Sequence, residues 1–148
     1  MKQEIVKDWM TPDPITVILQ TTLPEIHRLL TDRQIRRLPV MKHGRLVGMV
    51  TLGDVREAEP SSATSLSIWE VNYLLTKLEV SEIMTPSPLT VQEEATIGEA
   101  ASLMLSNKIG GLSVVNGEGK LVGIITESDI FRMIVAEWEQ AEQVMAYG

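Results

Sequence analysis

The chain of 148 residues contains no cysteine. That one absence excludes disulfides, thiolate nucleophiles and every cysteine-ligated metal site. Long apolar runs are missing as well: nothing approaches the roughly 18 residues that a membrane span needs. The opening MKQEIVKDWM has none of the layout of a signal peptide, so the reading is a cytoplasmic protein without membrane insertion. There is no basic excess either, since 13 Lys and Arg stand against 20 Asp and Glu, for a net charge of -7. Nucleic-acid binders draw much of their affinity from neutralising phosphates, and this balance argues against that role. An anionic small ligand stays open wherever local cations or backbone N–H groups outweigh the long-range field. What remains, 44% hydrophobic and 22% charged residues, is ordinary for a globular protein of one compact domain or two small ones.

What the chain does have is a duplication. Shifted by 74 positions, VKDWMTPDPITV (Val6 to Val17) falls on VSEIMTPSPLTV (Val80 to Val91). In the same register Thr22 meets Thr96, Glu25 meets Glu99, Leu29 meets Leu103, and Leu38 and Val40 meet Leu112 and Val114. One extra residue in VNGEGK moves the offset to 75, after which LVGMVTLGDV (Leu46 to Val55) meets LVGIITESDI (Leu121 to Ile130). A glycine-containing turn is where a duplicate changes length at least cost. Two copies of one supersecondary unit follow from this self-similarity.

Each copy predicts the same elements. The prolines of MTP-P forbid a continuous helix and lead into a short extended piece, ITV or LTV. Next, Leu23, Ile26, Leu29 and Leu30 share one helical face, as do Ile97, Ala100, Leu103 and Met104. Two strands follow, joined by KHG in the first copy and NGEG in the second, and a helix starts after Thr51 and after Thr126. The unit therefore reads strand, helix, strand, strand, helix. Between the copies REAEPSSAT is turn-rich and irregular, and SLSIWEVNYLLTKL is helical with Ile68, Val71, Leu74, Leu75 and Leu78 on one stripe. The last helix outruns its counterpart and carries Ile130, Met133, Ile134, Trp138, Ala141 and Met145 on an apolar face. That face packs either on its own domain or against a second copy of the chain.

The spacing Thr-x-x-Asp survives in both copies while the residues between change from LG to ES. One reading is structural. Thr at a strand end, three residues before a carboxylate, resembles a helix-capping box, in which Thr51 and Thr126 accept a backbone N–H and Asp54 and Asp129 favour the positive helix end. That box prefers Glu or Gln at its last position, because Asp is short for reaching back. The other reading is functional: a helix N-terminus with a Thr hydroxyl offers donors to a phosphate, and an Asp in the first turn accepts two hydrogen bonds from a vicinal diol such as a ribose.

MTP-P-TV, a helix, RRLPV and GRLVGMVTLGD, all repeated once, resemble the CBS domain pair, also called the Bateman module. The resemblance covers nearly the whole chain: residues 2–57 as the first CBS domain, 58–77 as a linker with a helix, 78–135 as the second domain, and 136–148 as a helical extension. It implies an α/β fold of two βαββα units packed about a pseudo-two-fold axis, and a regulatory module without chemistry of its own. Two clefts between the units would bind adenosyl ligands: AMP, ADP, ATP, S-adenosylmethionine or NAD(H). One cleft would combine Thr126 and Asp129 with Thr16, Ile35, Arg36, Arg37, Leu38 and Pro39. The other would combine Thr51 and Asp54 with Thr90, Ile109, Gly110, Gly111 and Leu112. Asp would hold the ribose diol, Thr the phosphate or ribose edge, and the apolar residues the adenine faces. Arg36 and Arg37 would favour phosphates in the first cleft, where Gly110 and Gly111 bring no charge to the second. A homodimer, and an enzyme or transporter regulated in trans, are the partners implied. The linker SIWEVNYLLTKLEVSEIMT is further similar to that of acetoin-utilisation accessory proteins of this family.

Other signals carry less. His27 and His43 stand apart with no neighbouring ligand pattern, and NGEGKLVG lacks the Ser or Thr after Lys120 that a phosphate loop needs. Glu93 and Glu94 precede a helix and read as helix-start charges. No nucleophile triad or metallohydrolase spacing appears, so an enzyme is not expected. The surviving readings are a nucleotide-sensing regulator and an interaction module whose Thr-x-x-Asp pairs merely cap helices.

Overall fold

A computed structural model describes residues 4–60 and 65–147. Part of the turn-rich segment REAEPSSAT, at residues 61–64, and the predicted domain start at Lys2 lie outside the described residues. The chain divides into two compact units: Ile15–Pro88, and Met1–Pro14 together with Leu89–Gly148. Each holds one four-stranded sheet, so the mixed α/β class expected from the sequence is the class observed.

The unit Ile15–Pro88 begins with the short strand β2 (Val17–Ile18), the two-residue β1 (Thr11–Pro12) belonging to the other unit. Helix α2 (Leu23–Asp32) then crosses to β3 (Arg37–Lys42), which pairs parallel with β2. The helix forms where predicted. Glu25 accepts from the Thr22 N–H at 3.0 Å, and Leu23, Ile26 and Leu30 are buried. β3 turns back through His43 and Gly44, both at positive φ, into antiparallel β4 (Arg45–Thr51). Two consecutive left-handed residues are what a tight hairpin of matching twist demands, and glycine supplies one of them without steric cost. Helix α3 (Leu52–Ala58) follows Thr51 directly.

The unit is completed from the far side of the linker. Helix α4 (Ile68–Lys77) starts at Ser67, whose Oγ accepts from the Glu70 N–H at 3.2 Å. Its apolar stripe is only partly buried. Ile68 is 71% exposed and Leu74 is exposed as well, whereas Leu75 and Leu78 pack against the core. The helix rests on α2, and it is Leu75 and Leu78, toward its C-terminal end, that reach the core. The turn α5 (Val80–Ile83) and the two-residue strand β5 (Thr85–Pro86) then close the sheet in the order β2-β3-β4-β5.

The other unit repeats this plan with the N-terminal segment as its completing piece. Its parts are α1 (Val6–Trp9), β1, β6 (Thr90–Gln92), α6 (Ile97–Asn107), β7 (Gly111–Val115), β8 (Leu121–Thr126) and α7 (Glu127–Tyr147), with sheet order β1-β8-β7-β6. The extra residue of the second copy sits in the β7–β8 turn, where Asn116 Oδ1 accepts from the Glu118 and Lys120 N–H groups at 2.9 and 3.0 Å. Thus the first dozen residues of each repeat complete the unit built from the other repeat. The hydrogen bonds repeat with the same offset: Val6 N–H donates to Ala95 O and Val80 N–H to Thr21 O, both at 2.8 Å. Lys7 N–H donates to Glu93 O, and Ser81 N–H to Leu19 O.

Val6 lies in the core of Val91, Leu112, Val114 and Ile125, and Val80 in that of Leu23, Leu38, Val50 and Val55. Close approach explains the glycine shared by the two LVG strands. A Cβ at Gly48 would overlap the Met84 sulfur, and one at Gly123 would overlap the Met10 sulfur and meet Thr11 O at 2.9 Å. Helix α7 is a single 21-residue helix. Its Met133 is buried, but Ile134, Trp138 and Met145 on the predicted apolar face are exposed, because the helix outruns the sheet it starts from.

Candidate functional site

Both Thr-x-x-Asp pairs stand at the same place in their units, at a strand end that becomes a helix start. In the unit Ile15–Pro88, β3 and β4 place Thr51 opposite Arg37, and the Leu52 N–H donates to Arg36 O at 2.9 Å. In the other unit Thr126 stands opposite Gly111, and the Glu127 N–H donates to Gly110 O at 3.1 Å. Each pair is therefore brought beside the strand segment of its own repeat. Thr16, Ile35, Arg36, Arg37, Leu38, Pro39, Thr51 and Asp54 belong to one unit. Thr90, Ile109, Gly110, Gly111, Leu112, Thr126 and Asp129 belong to the other.

These residues are not equally available. Thr16, Thr90 and Arg36 are exposed, while Ile35, Arg37, Ile109, Gly110 and Gly111 are half-buried. Leu38 and Leu112 lie wholly inside the apolar cores, and Pro39 is buried too, so what these three present outward is main chain rather than side chain.

The capping geometry differs between the copies. At α3 the box is complete: the Asp54 N–H donates to Thr51 Oγ1 at 3.1 Å, and the Thr51 N–H donates to Asp54 Oδ2 at 2.8 Å. Asp does reach back, contrary to the expectation from its length, because the extended Thr51 backbone turns its own N–H toward the first turn of the helix. At α7 the Thr126 N–H donates to Asp129 Oδ2 at 2.8 Å, but the Thr126 hydroxyl turns to that same oxygen, at 3.3 Å. Asp129 is 5% exposed and its other oxygen, Oδ1, is ion-paired with Arg132. The Arg132 guanidinium also reaches the carbonyl of Trp9 at 3.5 Å. Among the described residues Asp54 has no ion-pair partner, and the position equivalent to Arg132 is the exposed Glu57.

Two residues escaped the sequence reading. Arg132 sits one helical turn beyond Asp129, a spacing that could have flagged it. Ser113 has its hydroxyl fully buried with no hydrogen-bond partner among the described residues, at the repeat position where the first copy has Pro39. Nothing in its local sequence marks it.

Comparison with known proteins agrees with the duplication. The family model of the CBS domain matches twice, over residues 6–61 and 80–136. A CBS domain-containing protein of Dictyostelium discoideum is 33% identical over 132 residues, covering 88% of this chain and 91% of that protein. An inosine-5'-monophosphate dehydrogenase of Korarchaeum cryptofilum is 38% identical over 119 residues, which span 22% of that enzyme. Among solved structures, CBSX2 in complex with AMP has a TM-score of 0.74 at 31% identity, covering 90% of this chain and 97% of that one. A putative acetoin utilization protein from Vibrio cholerae has a TM-score of 0.77 at 30% identity, covering 96% and 98%. The CBS domain pair of the protein MJ0100, in complex with 5'-methylthioadenosine and S-adenosyl-L-methionine, has a TM-score of 0.76 at 28% identity, covering 92% and 99%.

Proposed function

The chain belongs to the CBS domain family, and from that premise we propose that it is a regulatory module that senses adenosyl nucleotides and alters its contact with another protein. The observation that carries this reading is the pair of Thr-x-x-Asp helix starts, placed identically in two units, with one oxygen of Asp54 left free of the capping box. A carboxylate held at a helix start accepts hydroxyl donors in a fixed direction, which suits a ribose diol. Relatives similar over nearly their whole length hold AMP, or 5'-methylthioadenosine and S-adenosylmethionine. The residues that the family resemblance groups with Asp129 and with Asp54 take the roles given above. For Leu38, Pro39 and Leu112 that role falls to the main chain, because their side chains are buried.

The protein works in the cytoplasm as a homodimer and acts on an enzyme or transporter in trans, without catalysing a reaction itself. Among the described residues no helix is long and apolar enough to cross a membrane. The exposed Phe131, Ile134 and Trp138 of α7 supply the surface for a second copy.

The test is a thermal-shift panel of AMP, ADP, ATP, S-adenosylmethionine and NADH on the wild type, Asp54→Ala and Asp129→Ala. A ligand at a hundred times its dissociation constant stabilises by about 2.7 kcal/mol. For a chain of this size that raises the midpoint by roughly 5–10 °C. Polyphosphates are expected to lose more from Asp129→Ala than from Asp54→Ala, on the grouping of Arg36 and Arg37 with Asp129 that the family resemblance implies. No shift with any ligand would favour the second reading, an interaction module, for which the complete capping box at Thr51 is already a sufficient structural role.

A further inference from the structure

The two aspartates differ in one respect that bears on ligand choice. An ionised carboxylate offers about four acceptor positions, and a vicinal diol needs two of them. At Asp129 three are taken: the Thr126 N–H and hydroxyl on Oδ2, and Arg132 on Oδ1. The Thr126 hydroxyl can rotate away at little cost, but the backbone N–H cannot. Arg132 is held through a charge-assisted bond and anchored again on Trp9 O. Its side chain is nonetheless 62% exposed, so it can leave. At Asp54 the Thr51 N–H occupies Oδ2, and the residue one turn on is Glu57, which cannot donate.

We propose that Arg132 is a specificity-determining latch on Asp129, competing with the ribose diol for Oδ1, so that a phosphate-free nucleoside binds first at Asp54. This rests on the adenosyl reading above and refines it. A nucleotide brings phosphate contacts that can offset the displacement of Arg132, whereas adenosine brings none. The duplicated half-sites thereby sort ligands by phosphorylation, and the sorting element is a position where the copies carry opposite charge, Glu57 against Arg132.

The experiment is isothermal titration of the full-length chain with adenosine and with 2'-deoxyadenosine. In the wild type adenosine should fill one site per chain first and a second more weakly, and in Arg132→Met the two should fill with closer affinity. In an Asp54→Ala background, Arg132→Met should bind adenosine about three- to tenfold more tightly, the scale of one exposed charge-assisted hydrogen bond no longer displaced. The gain should vanish with 2'-deoxyadenosine. Added salt should improve adenosine binding to Asp54→Ala alone, by screening the Arg132–Asp129 pair, and leave the double variant unmoved. Arg132→Gln serves the same purpose if the Met variant misfolds. Unchanged or weaker adenosine binding after Arg132 is removed, with AMP binding still lost in Asp129→Ala, overturns the latch and spares the adenosyl reading. Failure of adenosine and AMP to bind the wild type or any variant overturns both.

Discussion

Val6 and Val80 are equivalent residues of the two repeats, both fully buried, and each lies in the core of the unit built from the other repeat. Truncating either to Ala removes two buried carbons, about 0.8 kcal/mol each, or about 1.6 kcal/mol before any cavity is counted. Partial relaxation around the gap adds to this, for a total of about 2 kcal/mol. At roughly 2–4 °C per kcal/mol for a chain this long, the midpoint falls by about 4–8 °C in each variant. The global loss does not distinguish the two variants, but its location does. Native-state hydrogen exchange read by mass spectrometry should show Val6→Ala loosening β6, β7, β8 and α6, and Val80→Ala loosening β2, β3, β4 and α2. The exchanged segments are held by the backbone bonds Val6 N–H to Ala95 O and Val80 N–H to Thr21 O, so loss of the anchor should free those amides first. Faster exchange in β3 and β4 after Val6→Ala, with β7 and β8 still protected, would refute the exchange of segments between the repeats.

Three further outcomes follow from the packing. Gly123→Ala should destabilise more than Gly48→Ala when the two are compared by urea denaturation. The new methyl at 123 meets the Thr11 backbone, which only a shift of β1 relieves, whereas at 48 it meets the flexible Met84 side chain. Ser113→Ala should raise stability by about 1 kcal/mol in the same assay, since it removes a buried hydroxyl that no partner among the described residues satisfies. Lys7 is exposed and its pKa is raised, chiefly by the hydrogen bond to Glu94 at 2.8 Å and by the charge of that carboxylate. A raised lysine pKa contributes stability that is fully present below the unfolded value and lost as pH rises through the folded one. Lys7→Met should therefore lower the midpoint slightly at neutral pH and make no difference above the lysine range.

Much of the fold was legible because the repeat exposed it twice. The helical faces of α2 and α6, the hairpin at His43 and Gly44, the extra residue in the second turn and the strand-to-helix step at each Thr are local patterns, set by burial period, turn chemistry and capping. Family membership came from the same source, and so did the choice of Asp54 and Asp129 as candidates. How far α4 and the far half of α7 are buried was not legible, since an apolar stripe says that a face could be covered but not that anything covers it. The exchange of Val6 and Val80 was invisible because a four-residue turn and a two-residue strand are too short to carry a period of their own. They are stable only where a sheet edge and an apolar core accept them, which is a property of the assembled unit. The difference between the two aspartates was likewise decided by tertiary structure. Arg132 can be read from the sequence, but whether its guanidinium pairs with Asp129, and how deeply that carboxylate is buried, depends on α1 bringing the Trp9 carbonyl alongside α7.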